Sequence, residues 1–103
     1  MTTQELISNM KSRFDRCIGI VERKNHDYAD GNHSNDCFRN FRLAPYVGVP
    51  EARGILVRIT DKISRISNLL DNDPSVQDEK IEDSIDDAIN YLVIMAELVK
   101  EKR

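Results

Sequence analysis

Residues 81–99, IEDSIDDAINYLVIMAELV, decide the fold. Ile81, Ile85, Ala88, Leu92, Met95 and Val99 recur at steps of three and four residues. That is the period of one helix face, so the spacing predicts a long helix with this row as its apolar side. Nearly opposite the row, at the same period, stand Asp83, Asp87 and Asn90, with Glu82 and Asp86 crowded beside them. Carboxylates at i, i+4 repel and cost a helix roughly 0.2–0.5 kcal/mol per pair. Glu82 and Asp83 fall early enough to gain from the helix dipole, but Asp86 and Asp87 lie beyond its reach. Either this is a solvated acidic face, or a cation or a basic group from elsewhere in the fold relieves it.

Upstream, residues 50–70 carry the matching pattern. Leu56, Ile59, Ile63, Ile66 and Leu70 form an apolar seam, and Pro50 suits the first position of the helix, where a missing N–H costs nothing. Away from the seam run Arg58, Asp61, Arg65 and Asn68, with Lys62 at the edge. Taken alone this is a wetted face with an Asp61–Arg65 pair worth a few tenths of a kcal/mol. Taken with the acidic row it is the inverse cluster, three cations around one carboxylate. If both polar stripes faced one cleft, arginine forks would meet phosphate oxygens opposite carboxylates suited to Mg²⁺.

Towards the N-terminus, Thr2 and Glu5 fit a capping box, followed by the apolar stripe Leu6, Met10, Phe14, Cys17 and Val21. A helix is expected from residue 3 to about 25–28. Asp30 to Asp36 read as a loop, and a short helical turn is expected over Phe38–Leu43, ending near Pro45. Asp71 to Ser75 break the chain again, and Ser75 or Asp78 can cap the last helix. No strand-like alternation occurs. The expected fold is all-α: a single helical domain, 1–103, of three main helices plus a short helix after a polar loop. Around Tyr91–Met95 the last helix is apolar on nearly every side, which calls for a partner helix from another copy, hence a homo-oligomer.

Composition narrows the function classes. The 103 residues carry a net charge of −3 and a pI near 5.3, against nonspecific nucleic-acid binding, which needs a basic surface. Charged residues make up 32% and hydrophobic ones 40%, a balance that suits thoroughly wetted outer faces. MTTQELISNM has no basic-then-apolar signature, and no run approaches the ~18–20 residues of a membrane span. With two cysteines, Cys17 and Cys37, read as reduced thiols, a cytoplasmic protein is expected. Calcium, zinc and P-loop readings fail on spacing. Aligning Gly31 with an EF-hand glycine puts His26 and Cys37 at the ends of the loop, and His26, His33 and Cys37 lack a fourth zinc ligand. No G-x-x-x-x-G-K-[ST] run exists, and Cys17 has no base near it in sequence.

A further mixed cluster, Lys24-Asn25-His26-Asp27-Tyr28-Ala29-Asp30, closes the first helix. Four blocks in order, K-N-x-D-Y at 24–28, F-x-N-F at 38–41, G-I-L-V-R-x-x-D-K-x-x-R at 54–65 and D-E-x-I-E-D…D-x-x-N-Y at 78–91, resemble nucleotide modification associated domain 1. That small phage and bacterial domain is similar in turn to the all-α nucleoside triphosphate pyrophosphohydrolases, which include MazG-like enzymes and dimeric dUTPases. Those enzymes hold Mg²⁺ with an E-x-x-E pair on one helix and an E-x-x-D pair on the next. The resemblance implies Asp61, Glu82, Asp83, Asp86 and Asp87 as metal ligands, with Asp61, Asp83 and Asp87 catalytic. Arg58, Lys62, Arg65 and Lys24 would grip phosphates, Asn25 and Asn40 would read base or sugar, Asn90 would bind alongside the acidic residues, and Tyr28 or Tyr91 would stack on the base. Asp27, with Asp30, would complete the site. The first carboxylate pair is replaced here by cations, a departure that strengthens a phosphate pocket and weakens a multi-metal hydrolase. Three functions therefore compete: Mg²⁺-dependent nucleotide hydrolysis, nucleotide sequestration without turnover (a cyclic signalling nucleotide included), and a structural oligomer.

Overall fold

A computed structural model describes residues 1–28, 36–72 and 80–102, with the backbone alone over 25–28. Three long helices, α1 (Thr3–Tyr28), α2 (Glu51–Asp71) and α3 (Ile81–Glu101), alternate with two short 3₁₀ turns, Arg39–Phe41 and Ala44–Val47. Among the described residues there is no strand, so the all-α expectation holds.

The chain divides into two compact units, Met1–Asn35 and Asp36–Arg103. Among its described residues, the first consists of α1 and the two residues before it. Its capping box forms as expected: the Glu5 N–H donates to Thr2 Oγ1 at 3.1 Å, and the Thr2 N–H donates to the Glu5 carboxylate at 3.1 Å. Cys17 is buried, yet the rest of the stripe is not, from Val21 at 39% exposed to Leu6 at 49%.

In the second unit, α2 and α3 pack against each other and both 3₁₀ turns rest on α2. The core consists of Phe38, Phe41, Ile55, Ile59 and Leu98, with Ala52, Tyr91, Ile94 and Met95 packed on it. The single short helix expected over Phe38–Leu43 is instead two turns, the second running through Pro45. Proline is tolerated there because it sits in the first positions of the turn, where its N–H would be unused. Gly48 ends that turn with φ 81°, a left-handed conformation that costs a side chain roughly 1–2 kcal/mol. Gly54 lets α2 approach the turn, since a Cβ there would lie 3.2 Å from Ala44 Cβ.

Two expectations about helix starts are corrected. Pro50 is the N-cap of α2, extended at ψ 147°, rather than its first helical residue. α3 begins from Lys80 without a side-chain cap bond, and Ser75 and Asp78 lie outside the described residues. The larger correction concerns which faces are buried. Leu56, Ile63 and Leu70 of the expected α2 seam are 39%, 56% and 72% exposed, while Ile55, absent from that seam, is fully buried. On α3, Leu92 and Val99 of the expected apolar face are exposed, and the residue fully buried is Leu98. Each helix is rotated by about a quarter-turn or less from the expected orientation, because both have more apolar surface than one neighbour covers.

Candidate functional site

The register of α2 on α3 follows from two ion pairs. Glu51, at the start of α2, accepts from Lys102, just past the end of α3, at 3.1 Å, and Lys62 Nζ lies 2.9 Å from Asp87 Oδ2. The helices are therefore antiparallel. Side chains step about 100° per residue around each axis. Measured from the faces that meet in the core, Arg58, Asp61 and Arg65 fall on the same flank of the helix pair as Asp83, Asp87 and Asn90. Lys62 and Asp87 meet between the two helices, each only about one-fifth exposed. At Asp87, then, a basic group of α2 relieves the acidic row.

Around this pair the other expected site residues divide. Arg58, Asp61 and Arg65 are exposed on α2, and Glu82 and Asp83 are exposed in the first turn of α3, where the dipole favours them. Asn90 is half-buried and Asp86 fully buried; Arg65, Glu82, Asp83, Asp86, Asp87 and Asn90 are all engaged in polar or electrostatic interactions. Tyr91 faces the core rather than the flank, with its ring edge-on to Phe41 at 6.2 Å between centroids. Asn40 is exposed within the first 3₁₀ turn. Lys24 lies on α1, in the other unit, and is itself engaged. The side chains of Asn25, Asp27 and Tyr28, and all of Asp30, lie outside the described residues.

Whether these carboxylates fit Mg²⁺ can be asked directly. Among the described residues, no three His, Cys, Asp or Glu side chains converge on a point where one cation could sit. Asp87 is already neutralised by the Lys62 ammonium. As placed, the described residues form no cation cage, and no catalytic step through a metal follows from them.

A second polar cluster had no signature in the sequence. Arg42 donates Nε to Asp36 Oδ2 at 2.8 Å and Nη2 to Asp36 Oδ1 at 3.2 Å, a bidentate fork, and Nη1 to Glu51 at 2.7 Å. Its guanidinium lies 5.2 Å from the centroid of the Phe38 ring, within range of a cation–π contact. The Phe38 N–H also donates to Asp36 Oδ1 at 3.0 Å. This network ties the segment before the first 3₁₀ turn to the start of α2 and, through Lys102, to the end of α3. The Arg42 fork holds the Asp36 carboxyl below its ordinary 3.8, while the Lys102 and Arg42 hydrogen bonds hold Glu51 below its ordinary 4.5. Partial desolvation and the neighbouring Asp36 push the Cys37 thiol up, so it carries little thiolate at neutral pH.

No known protein family, curated protein or solved structure matches the chain. The four sequence blocks are therefore the whole basis of the family resemblance. Among the described residues, no helix is long and apolar enough to cross a membrane.

Proposed function

We propose that the chain binds a phosphate-bearing nucleotide on the polar flank of the α2–α3 pair, and that it works as a homo-oligomer. The observation that supports this most is the Lys62–Asp87 bridge. It joins a cationic stripe and an acidic stripe that the antiparallel packing turns to one side. Arg58 and Arg65 are one pair of helical turns apart on that side, exposed enough to offer guanidinium forks to phosphate oxygens. Lys62 supplies a third cation, and Asn90 an amide for base or sugar. The compensated Asp87 favours binding without turnover, as a sequestering protein for a cyclic or signalling nucleotide would require.

Mg²⁺-dependent hydrolysis, with Asp61, Asp83 and Asp87 as its working carboxylates, is the reading that the family resemblance adds; it requires Asp87 to leave Lys62 for the cation. Both are separated by one experiment. The protein is incubated with a panel of nucleoside triphosphates and cyclic nucleotides, with and without Mg²⁺, recording thermal shift and product release. A shift without product supports sequestration, and metal-dependent pyrophosphate release supports hydrolysis. No shift with any nucleotide overturns both. The homo-oligomer is supported by apolar rows left open on α1, α2 and α3.

A further inference from the structure

The open apolar rows of α2 and α3 lie on one side of the helix pair, opposite the polar flank. Leu56, Ile63 and Leu70, all exposed, form the α2 row; on α3, Leu92 and Val99 are exposed, while Ile81, Ile85, Ala88 and Met95 of the same row are half-buried and Met95 also touches the core. An open groove of about 400 Å³ in the α3 row is lined by Leu92, Met95, Ala96, Val99 and Lys100. We propose that this face docks a second copy of itself across a two-fold axis perpendicular to the helices, α2 on α2 and α3 on α3, each pair antiparallel. The proposal rests on the homo-oligomeric reading above and names its surface and geometry.

Three independent features fit that one axis. On α2 the row is symmetric about Ile63, so Leu56 of one copy meets Leu70 of the other and Ile63 meets itself. On α3 it is symmetric about Asn90: Ile81 meets Val99, Ile85 meets Met95, and the small Ala88 receives Leu92. Both centres must lie at one height for a single axis to serve them. The ion pairs put them there, since residue 62 is level with 87 and residue 51 with 102, which places Ile63 level with residues 86–90. Two rows of unrelated sequence thus share a symmetry centre within about one helical turn.

Charge agrees with this. Glu82 and Lys100 lie on the same edge of the α3 row at its two ends, so the axis brings Glu82 of one copy beside Lys100 of the other at the rim of the groove.

Sedimentation velocity over a wide concentration range tests the proposal. The wild-type chain is expected to sediment as a dimer, and Leu92→Asp as a monomer with unchanged helical circular dichroism. Ile63→Asp, at the α2 centre, gives the same result should Leu92→Asp fail to fold. Lys100→Glu is expected to weaken the dimer at least tenfold, and adding Glu82→Lys to restore it. A wild-type oligomer that survives both aspartate variants overturns this face but leaves self-association standing, whereas a monomeric wild type overturns both. A Lys100→Glu defect that Glu82→Lys does not repair overturns the two-fold arrangement.

Discussion

Leu98→Ala and Leu92→Ala form a matched pair that tests which side of α3 is the core. Leu98 is fully buried against Ile55, Ile59 and the two phenylalanines, whereas Leu92 is 52% exposed. Truncating a fully buried leucine removes its transfer free energy and leaves a cavity, about 2–5 kcal/mol in all. A unit of this size has a total stability of only about 3–10 kcal/mol at roughly 0.05–0.15 kcal/mol per residue. Leu98→Ala should therefore consume a large share of it, lowering Tm by about 4–8 °C per kcal/mol. Leu92→Ala loses a half-wetted side chain and should cost less than about 1 kcal/mol in the monomer. Urea unfolding at low and high protein concentration reads both, because a Leu92 effect that acts through self-association grows with concentration and a Leu98 effect does not. Equal losses at low concentration, or a larger loss for Leu92→Ala, would refute the placement of the core.

Other perturbations test other parts of the fold. Asp36 and Glu51 have folded pKa values below their unfolded ones, so the unfolded chain binds more protons and their contribution is complete above about pH 4.5. That contribution is lost as pH falls through the depressed values. Arg42→Ala should flatten this acid limb in pH-dependent unfolding, and an unchanged limb would remove Arg42 as its cause. Gly48→Ala meets no neighbour within 4 Å but must hold φ near 81°, so urea unfolding should show a loss of about 1–2 kcal/mol. A neutral result would mean the turn relaxes freely. Iodoacetamide labelling at neutral pH should modify Cys37 slowly despite its exposure, owing to its raised pKa. Labelling as fast as a free thiol would contradict that environment.

Local features of this chain were legible because their causes lie within a few residues. The Thr2–Glu5 capping box, the span of α1 and the ends of α2 and α3 follow from capping groups, turn residues and apolar period. The crowding of like charge on one face of α3 was also legible, though not whether water or a basic group relieves it; at Asp87 it is Lys62. The side of each helix that turns inward was not. α3 is apolar almost all round, so its period could not distinguish the Leu98 side, which meets α2, from the Leu92 side, which does not. Likewise α2 carries Ile55 and Leu56 side by side, and only the neighbour decides between them. The Arg42 network joins residues separated by 6, 9 and 51 positions, with no spacing rule to announce it. Tyr91 looked like a stacking residue beside Asn90, yet one step of about 100° carries it from the polar flank into the core.

The claim that the polar flank of α2 and α3 holds a nucleotide's phosphates is tested most directly by isothermal titration. The nucleotide giving the largest thermal shift is titrated into the wild-type chain and into the double variant Arg58→Glu, Arg65→Glu. Hydrogen bonds to charged groups contribute about 1.5–3 kcal/mol each, so losing two should weaken binding at least a hundredfold. The double variant should keep its fold, since both arginines are exposed and neither belongs to the core. Undiminished affinity in a folded double variant would contradict the proposed phosphate site.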